Sequence, residues 1–376
     1  MGARAVGLRI ATTVLVALSA VSLAPSTASA STAAASDAVL DLRSDCANHK
    51  AEAGRVQGWA RSRYEQCHFY DNQRIKLRTA QHQYLGSFEF DLWVLAFAYD
   101  GQRRVDYRAS VEDVRQGSTL RDDLNYLTIK FDCQGNNVVC SPTRSRADTI
   151  AGWYAKPGMD VVTVTSPNDS GDGPHKIVKF TETVSFIAEY RNGRTRPYHK
   201  DVAATNRVRF DSAAQALGSG KHTGTVFTDH MPRFTLRLTG DGSDQESRHV
   251  DDALNHTERT FPSTIGKNVP GRSPEDPLER LMDPAKLRAN NEAAKKICKD
   301  VWGDNYAAGG LQCDEYPFAS TYQGAAESTG NQPFSWHGSA RPITGADNVT
   351  GGSLLGAFYG ANRVLDKDRF YVVVNP

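Results

Sequence analysis

The sequence predicts a two-domain fold in which a β-rich, sandwich-like N-terminal module precedes an α+β C-terminal domain. Residues 41–261 contain short segments that alternate apolar and polar side chains, separated by turn-rich stretches such as "SPNDSGDGP" and "GDGSDQES". Residues 262–277 are rich in proline and turn-forming residues and follow no sustained period, which is typical of a linker. Residues 278–376 begin with alanine, lysine, glutamate and leucine at helical spacing and end with the strand-like "RFYVVV".

The composition and charge of the 376-residue chain set few limits on its function. Hydrophobic residues make up 39% of the chain and charged residues 23%, as in ordinary globular proteins. The formal net charge is +1, so no global basic field indicates binding to nucleic acid or to an anionic membrane. This balance argues only weakly against a nucleic-acid substrate, because a local basic patch or a bound metal ion can supply the attraction.

Residues 1–30 have the pattern of a secretory signal peptide. A positively charged start is followed by the apolar run "IATTVLVALSAVSLA" and by a small-residue site, "TASA", before Ser31. The apolar run is shorter than the roughly 18–20 residues that span a bilayer, which argues against a membrane anchor. No later segment is apolar enough to cross a membrane. We therefore expect a secreted, extracellular protein with no membrane partner, in which residues 31–40 form a mobile, small-residue tail.

The six cysteines fall into three pairs whose members are close in sequence. These pairs are Cys46–Cys67, Cys133–Cys140 and Cys298–Cys313. No pair has the short C-x₂₋₄-C spacing of a zinc site, and secreted proteins commonly carry structural disulfides. Six cysteines allow many connectivities, so the sequential pairing is a prediction for the structure to test.

The stretch "CDEYPFAST", residues 313–321, places two carboxylates next to each other near the C-terminus. The residues before it alternate as in a short strand, and Pro317 ends regular strand pairing. Adjacent residues of an extended chain point to opposite faces, so we expect Asp314 and Glu315 to have different roles. One acid would face a site and the other would hold a structural partner. The alternative is a solvated loop anchored by a disulfide.

Together with "GADNVTGGSLLGAFY" and the terminal "DRFYVVV", this stretch resembles the C-terminal catalytic domain of the NucA/NucB family of secreted bacterial deoxyribonucleases. The resemblance covers about residues 285–376, a quarter of the chain, and its D-E-aromatic-P block is the most specific part. It implies endonucleolytic cleavage of DNA with a divalent metal, Mg²⁺ or Mn²⁺, at a site similar to that of ββα-metal nucleases. The β-rich module shows no such resemblance, and its ligand stays unknown.

The resemblance also implies roles for particular residues. Asn348 matches the family's metal-holding asparagine, and Asp314 matches the acid at the reactive face. Glu315 and Asp347 are supporting candidates, so that Asp314, Glu315 and Asn348 form the predicted catalytic set and Asn348, Asp314 and Asp347 the predicted metal ligands. Magnesium keeps several waters, so one or two protein oxygens suffice. An aspartate ionises near pH 3.9 in reference peptides, so the role of Asp314 stays open between base and ligand.

Several other residues are weaker candidates. His337, beside Trp336, is a candidate proton donor, for which a packed or surface histidine is the favoured interpretation. Arg341 and Arg363 are candidate phosphate contacts, for which a solvated charge is the favoured interpretation. His249 and His256 do not have the spacing of known metal ligands, and the pattern around them favours a solvated helix face.

The sequence thus predicts a secreted, metal-dependent endonuclease that hydrolyses the phosphodiester bonds of extracellular DNA with little sequence selectivity. The alternative is a secreted binding protein. In that case the β-rich module would recognise a wall polymer, a glycan or a protein, and the nuclease-like domain would be inactive.

Overall fold

The computed structural model describes residues 28–191, 198–201, 207–218, 221–263, 265–326 and 336–376. The chain divides into a unit of residues 1–41 and a larger unit of residues 42–376. The predicted signal peptide lies almost entirely outside the described residues. Residues 31–40, expected to form a mobile tail, are instead part of a helix, α1 (Ala28–Asn48). No helix within the described ranges is long and apolar enough to span a membrane.

After α1 the described chain is mostly strands up to residue 237, and the other long helices follow it. In chain order, the strands are β1 (Trp59–Ala60), β2 (Glu65–Arg78), β3 (Tyr84–Ala98), β4 (Arg104–Gln116), β5 (Asn125–Phe131), β6 (Val139–Cys140), β7 (Ser145–Thr149), β8 (Val162–Thr165), β9 (Val178–Thr181), β10 (Val184–Tyr190), β11 (Tyr198–Asp201), β12 (Arg207–Asp211), β13 (Gly224–Phe227), β14 (Arg233–Arg237), β15 (Leu278–Glu279), β16 (Leu311–Tyr316), β17 (Ser339–Thr344) and β18 (Arg369–Asn375). The further helices are α2 (Lys50–Ala53), α3 (Ile150–Ala155), α4 (Ala214–Leu217), α5 (Asp244–Asn255), α6 (Pro284–Trp302) and α7 (Gly345–Ala361).

Three antiparallel sheets build the N-terminal part of the larger unit, as far as the structure describes it. Their strand orders are β1-β2-β3-β4-β8-β6, β11-β10-β5-β7 and β13-β12-β9. The sheets share one apolar core, in which the rings of Phe90 and Phe186, from different sheets, meet edge to face with centroids 5.2 Å apart. Leu127, Ile129 and Phe131 are buried on one face of β5, as their period of two predicts. The prediction of a β-rich N-terminal region is confirmed.

All three predicted disulfides are present. Cys46–Cys67 ties the end of α1 to β2, and Cys298–Cys313 ties α6 to β16. The Cys133–Cys140 disulfide closes a short loop that follows β5. None of the six cysteines is free.

The C-terminal part is built around a three-stranded sheet in which β18 is the central strand. It pairs in parallel with β14 and antiparallel with β15. Phe234 of β14 and Val250 of α5 lie in one apolar core with Phe358 of α7 and Phe370 of β18. The sequence predicts β14 and α5 as part of the N-terminal module, but both belong to this C-terminal core. Their apolar residues find partners that lie more than a hundred residues later in the chain, which local periodicity does not reveal.

Strands β16 and β17 form an antiparallel ribbon, which we call the β16–β17 ribbon, with α7 directly after it. The register runs from Leu311 opposite Thr344 to Tyr316 opposite Ser339. Alternate residues face opposite sides, so one side of the ribbon meets α5 and the other meets α6, to which Cys313 is bonded. The order of elements is therefore strand, strand, helix, with the start of α7 at the Leu311 end.

Buried ion pairs join the N-terminal sheets to the loop that follows α7. The fully buried guanidinium of Arg363 pairs with the fully buried carboxylate of Asp211, and its Nη1 lies 2.7 Å from Asp100 Oδ1. Gly224 makes room for this guanidinium, because a Cβ at that position would lie 2.2 Å from Arg363 Nε. The sequence suggests a solvated charge or a phosphate contact for Arg363, and both interpretations are wrong because the side chain is enclosed.

Asp368, in the same loop, is held by two arginines of the N-terminal sheets and their edge. Its Oδ2 lies 3.0 Å from Arg63 Nη1 and 2.7 Å from Arg209 Nη1. Burial alone would raise the pKa of Asp368, but Arg63 and Arg209 hold it below its usual value. We call these interacting residues the junction cluster, and its members are Arg63, Asp100, Arg209, Asp211, Arg363 and Asp368.

Candidate active site

The two adjacent acids of "CDEYPFAST" point to opposite sides of the β16–β17 ribbon. Asp314 faces α5, where its Oδ2 lies 2.6 Å from His249 Nδ1. Glu315 faces α6, where the backbone N–H of Ala319 donates to its carboxylate and Lys295 attracts it. Burial and the neighbouring Asp314 raise the pKa of Glu315 to about 8. The two carboxylates therefore have separate surroundings, as strand geometry predicts.

His249 is the residue of α5 that reaches the ribbon. Its side chain is completely buried, Nδ1 contacts Asp314, and Nε2 lies 2.7 Å from the hydroxyl of Ser339. Because a carboxylate oxygen accepts, Nδ1 is the nitrogen that carries a proton. The sequence favours a solvated helix face for His249, and this is wrong: His249 and Val250 lie on the inner side of an amphipathic helix. His256, at the end of α5, is partly exposed beside Glu258.

Glu246 lies one turn before His249 and is also buried. Its Oε2 atom has no hydrogen-bond partner in the part of the chain that the structure describes. Burial, followed by the charges of Asp314, Glu315 and Asp347, raises the pKa of Glu246 to about 9. We call these four residues the acid cluster. The cluster thus includes acids on both faces of the ribbon, and the buried Oε2 of Glu246 has no hydrogen-bond partner among the described residues.

The carboxylate of Glu246 rests against α7 at Gly351. A Cβ added to Gly351 would lie 1.3 Å from Glu246 Oε2, so only glycine accommodates the acid here. Asn348 is three residues earlier on α7, and positions i and i+3 share one helix face. Its Nδ2 donates to Gln312 Oε1 over 2.8 Å, and Gln312 lies on the same face of β16 as Asp314. Gln312 and Gly351 thus connect Asn348, Asp314 and Glu246 into one region between α5, α7 and the ribbon.

Asp347 closes the start of α7 and also binds the start of α5. Its Oδ1 accepts from the Thr344 hydroxyl at 2.5 Å, and its Oδ2 accepts from the Gln245 backbone N–H at 2.7 Å. The Gln245 backbone bond and then the Thr344 hydroxyl bond lower the pKa of Asp347. Both oxygens of this predicted metal ligand already accept a hydrogen bond, and a cation would have to share them with these donors.

Arg341 lies directly opposite Asp314 in the ribbon, on the face that meets α5. Its Nη2 donates to Asp252 Oδ2 over 2.8 Å. This contact is a third attachment of α5 to the ribbon, after those of Gln245 and His249. The guanidinium is therefore engaged with α5, and a phosphate would have to compete with Asp252 for it.

His337 lies away from the start of α7. It precedes Ser339, which pairs with Tyr316, whereas Asn348 follows Thr344 at the other end of the ribbon. The Nδ1 atom of His337 accepts a hydrogen bond from the backbone N–H of Asn268 over 2.9 Å, in an exposed position. The structure therefore gives His337 a role in holding the segment before β15.

Four residues of the site, Glu246, His249, Asp252 and Ser339, are missing from the predicted catalytic and metal sets. The signal that could have found the first two is helical spacing, since Glu246, His249 and Ala253 lie on one face of α5. Their shared face with apolar neighbours indicates that this side of the helix is buried, but the spacing does not show which element covers it.

The arrangement suits an open site for a hard cation and not a closed one. Within the described ranges, no group of three or more histidine, cysteine, aspartate or glutamate side chains could hold a metal ion. Magnesium needs only one or two protein oxygens and keeps its remaining waters. Asp314 and the carbonyl group of Asn348 can each offer such an oxygen. The buried Oε2 of Glu246 is a third candidate, because it has no hydrogen-bond partner among the described residues.

Comparison with known protein families matches residues 278–373 to the family Deoxyribonuclease NucA/NucB. The matched segment contains the β16–β17 ribbon and α7, and with them Asp314, Glu315 and Asn348. It begins after β14 and α5, so Glu246 and His249 lie outside it. No curated protein matches the chain. The predicted family resemblance of the C-terminal segment is confirmed.

Proposed function

With a NucA/NucB deoxyribonuclease domain at residues 278–373 as the premise, we propose that the protein is a secreted, divalent-metal-dependent endonuclease. Its substrate is extracellular DNA, which it cleaves at phosphodiester bonds with little sequence selectivity. One observation carries the proposal: within this domain, the ribbon and the start of α7 bring Asp314 and Asn348 into one region that is rich in carboxylates. Secretion is supported by the three disulfides, which are typical of oxidising compartments.

Asn348 and Asp314 are the residues that would hold the metal, with Glu246 as a third oxygen donor. When bound, Mg²⁺ or Mn²⁺ stabilises the charge that develops on the scissile phosphate. Asn348 is suited to ligation because its amide nitrogen is bound to Gln312, which leaves the carbonyl oxygen for a cation. Asp314 is suited to orient the attacking water, because His249 holds Oδ2 and the carboxylate keeps a second oxygen that can accept a hydrogen bond.

The contact with His249 also bears on the role of Asp314. It occupies Oδ2, which leaves the other carboxylate oxygen to meet water or a cation. We therefore assign Asp314 to orienting water or binding the cation. Glu315, on the other face of the ribbon, would act indirectly by fixing the strand against α6.

The test is nicking of supercoiled plasmid by the purified, oxidised protein with Mg²⁺, with Mn²⁺ and with EDTA. We expect metal-dependent nicking that falls by about 10² or more in Asp314→Asn and in Asn348→Ala, as for loss of a positioned catalytic group. Matched controls are Asp304→Asn and Val349→Ala, two exposed positions of the same domain, which should keep wild-type rates. Nicking that persists in EDTA, or that survives both site substitutions, would contradict the proposal.

No observation on the described residues favours the alternative of a binding protein with an inactive domain. The assay addresses it directly. A wild-type protein that binds DNA or another polymer and leaves plasmid intact in both metals would restore that alternative.

A further inference from the structure

Helix α5 lies outside the segment that matches the nuclease family, yet it attaches to the site along its whole length. At its start, Gln245 bonds to Asp347 and Thr344. In its middle His249 bonds to Asp314, and near its end Asp252 bonds to Arg341. A helix that is held at three successive turns keeps the side chains between them in fixed positions. His249 is therefore held rigidly against the acid it contacts.

We propose that His249 is a positioning residue for Asp314, supplied to the nuclease site by a helix that precedes the family domain. This inference rests on the proposed function. The Nδ1–H group of His249 binds Oδ2 of Asp314 and so fixes the rotation of the carboxylate. The other carboxylate oxygen of Asp314 then faces the site in one orientation, in which it orients water or binds the cation.

Ser339 is the second hydrogen-bond partner of the His249 ring. Its hydroxyl lies 2.7 Å from Nε2, on the same face of the ribbon as Asp314. When the serine hydroxyl donates to Nε2, the remaining proton of a neutral imidazole is on Nδ1, which is the nitrogen that faces Asp314. The chain Ser339–His249–Asp314 is thus a buried set of hydrogen bonds that ends at a carboxylate of the site.

A purely structural role is the rival explanation, since a buried histidine with two partners also stabilises the fold. The two explanations differ in which nitrogen matters. Positioning needs the donor at Nδ1, whereas packing and general polar satisfaction depend about equally on both nitrogens. Asparagine places its amide nitrogen near the position of Nδ1, and glutamine places its amide nitrogen near the position of Nε2.

The experiment compares His249→Asn with His249→Gln in the full-length oxidised protein. Both are neutral amides that remove the ring, so they serve as controls for each other, and their melting temperatures are measured first. We expect His249→Asn to keep kcat for plasmid nicking within about ten-fold of wild type and His249→Gln to lose about 100-fold, the range seen for groups that orient a site ligand. The KM for DNA should change little in either variant, because neither contacts DNA.

Ser339→Ala is a second, milder variant that leaves the histidine in place. It removes the group that directs the Nδ1–H tautomer, so we expect kcat to fall by about two- to ten-fold with KM unchanged. Equal kcat values for His249→Asn and His249→Gln at similar melting temperatures would overturn the inference, and so would a change confined to KM. A wild-type protein that does not nick plasmid would overturn the proposed function, which is a distinguishable result.

Discussion

The junction cluster and the acid cluster are both buried and polar, but their charges are balanced in different ways. In the junction cluster three arginines meet three aspartates, and the pKa of Asp368 is held below its usual value. In the acid cluster burial and the charges of Asp314, Glu315 and Asp347 raise the pKa of Glu246 to about 9. A balanced cluster is complete without a ligand. An unbalanced one has a place for a cation, which is why we assign structure to the first and function to the second.

The largest expected effect is on stability, at the junction cluster. Asp211→Asn keeps the shape of the side chain but leaves the buried Arg363 guanidinium without its main counter-charge. We expect the free energy of unfolding to fall by about 3–5 kcal/mol, as for removal of one partner of a buried ion pair. Urea denaturation measures this. The control is Asp123→Asn, the same change in an exposed pair with Arg121, for which we expect little or no loss of stability because solvent screens the pair. Equal losses at both positions would break the comparison.

Replacing a carboxyl group of the acid cluster should raise the free energy of unfolding, whereas Asp211→Asn in the junction cluster should lower it. At pH 7 Glu246 is protonated in the folded protein and ionised in the unfolded chain. Glu246→Gln removes the cost of taking up that proton on folding, so the metal-free protein should gain about 1–3 kcal/mol of stability at pH 7. The measurement is urea denaturation in EDTA. Destabilisation by this substitution would mean that Glu246 has a favourable partner, and the acid cluster would then be as balanced as the junction.

The pH dependence of stability tests the same carboxyl group without changing its charge by mutation. The pKa of Glu246 is about 9 in the folded protein and 4.5 in the reference state, so the folded state keeps a proton that the unfolded state releases. The contribution of Glu246 to the stability of the metal-free protein should therefore fall as pH rises between about 4.5 and 9, by at most about 1.4 kcal/mol per pH unit. The slope should be smaller in Glu246→Gln. An identical slope in both proteins would assign the pH dependence to other groups.

The smallest effect is expected at the edge of the acid cluster, where Arg341 pairs with Asp252. Both side chains are partly exposed, so Arg341→Gln should lower the free energy of unfolding by about 1 kcal/mol or less. Because the guanidinium is engaged with α5, the KM for plasmid DNA should change by less than about three-fold. A ten-fold rise in KM would instead make Arg341 a phosphate contact, which is the less favoured interpretation of the sequence.

Much of the fold could be predicted because its signals are local. The period of two in "YLTIKF" predicts a buried strand face, the cysteine spacing predicts the three disulfides, and the motifs of the C-terminal segment predict its family. The alternation of strand residues also predicts that Asp314 and Glu315 face opposite sides.

The remainder depended on contacts between distant parts of the chain. A strand partner of β14 is β18 (Arg369–Asn375), more than a hundred residues later, so nothing near β14 in sequence indicates that it and α5 join the C-terminal core. His249 meets Asp314 and Arg363 meets Asp211 only after that core has formed. Charged and polar residues also carry a strong expectation of exposure, which both residues violate because their partners are equally buried.

The central claim is that the acid cluster binds a cation. Its most direct test is to measure Mn²⁺ binding to the DNA-free protein by calorimetric titration at pH 7 and at pH 8. We predict one site in the wild-type protein, tighter at pH 8 because ligand carboxyls must lose their protons. Binding should weaken at least ten-fold in Glu246→Gln and in Asp314→Asn, and stay unchanged in Asp123→Asn. A wild-type protein that binds no Mn²⁺, or the same affinity in all four proteins, would contradict the assignment of the acid cluster as the functional site.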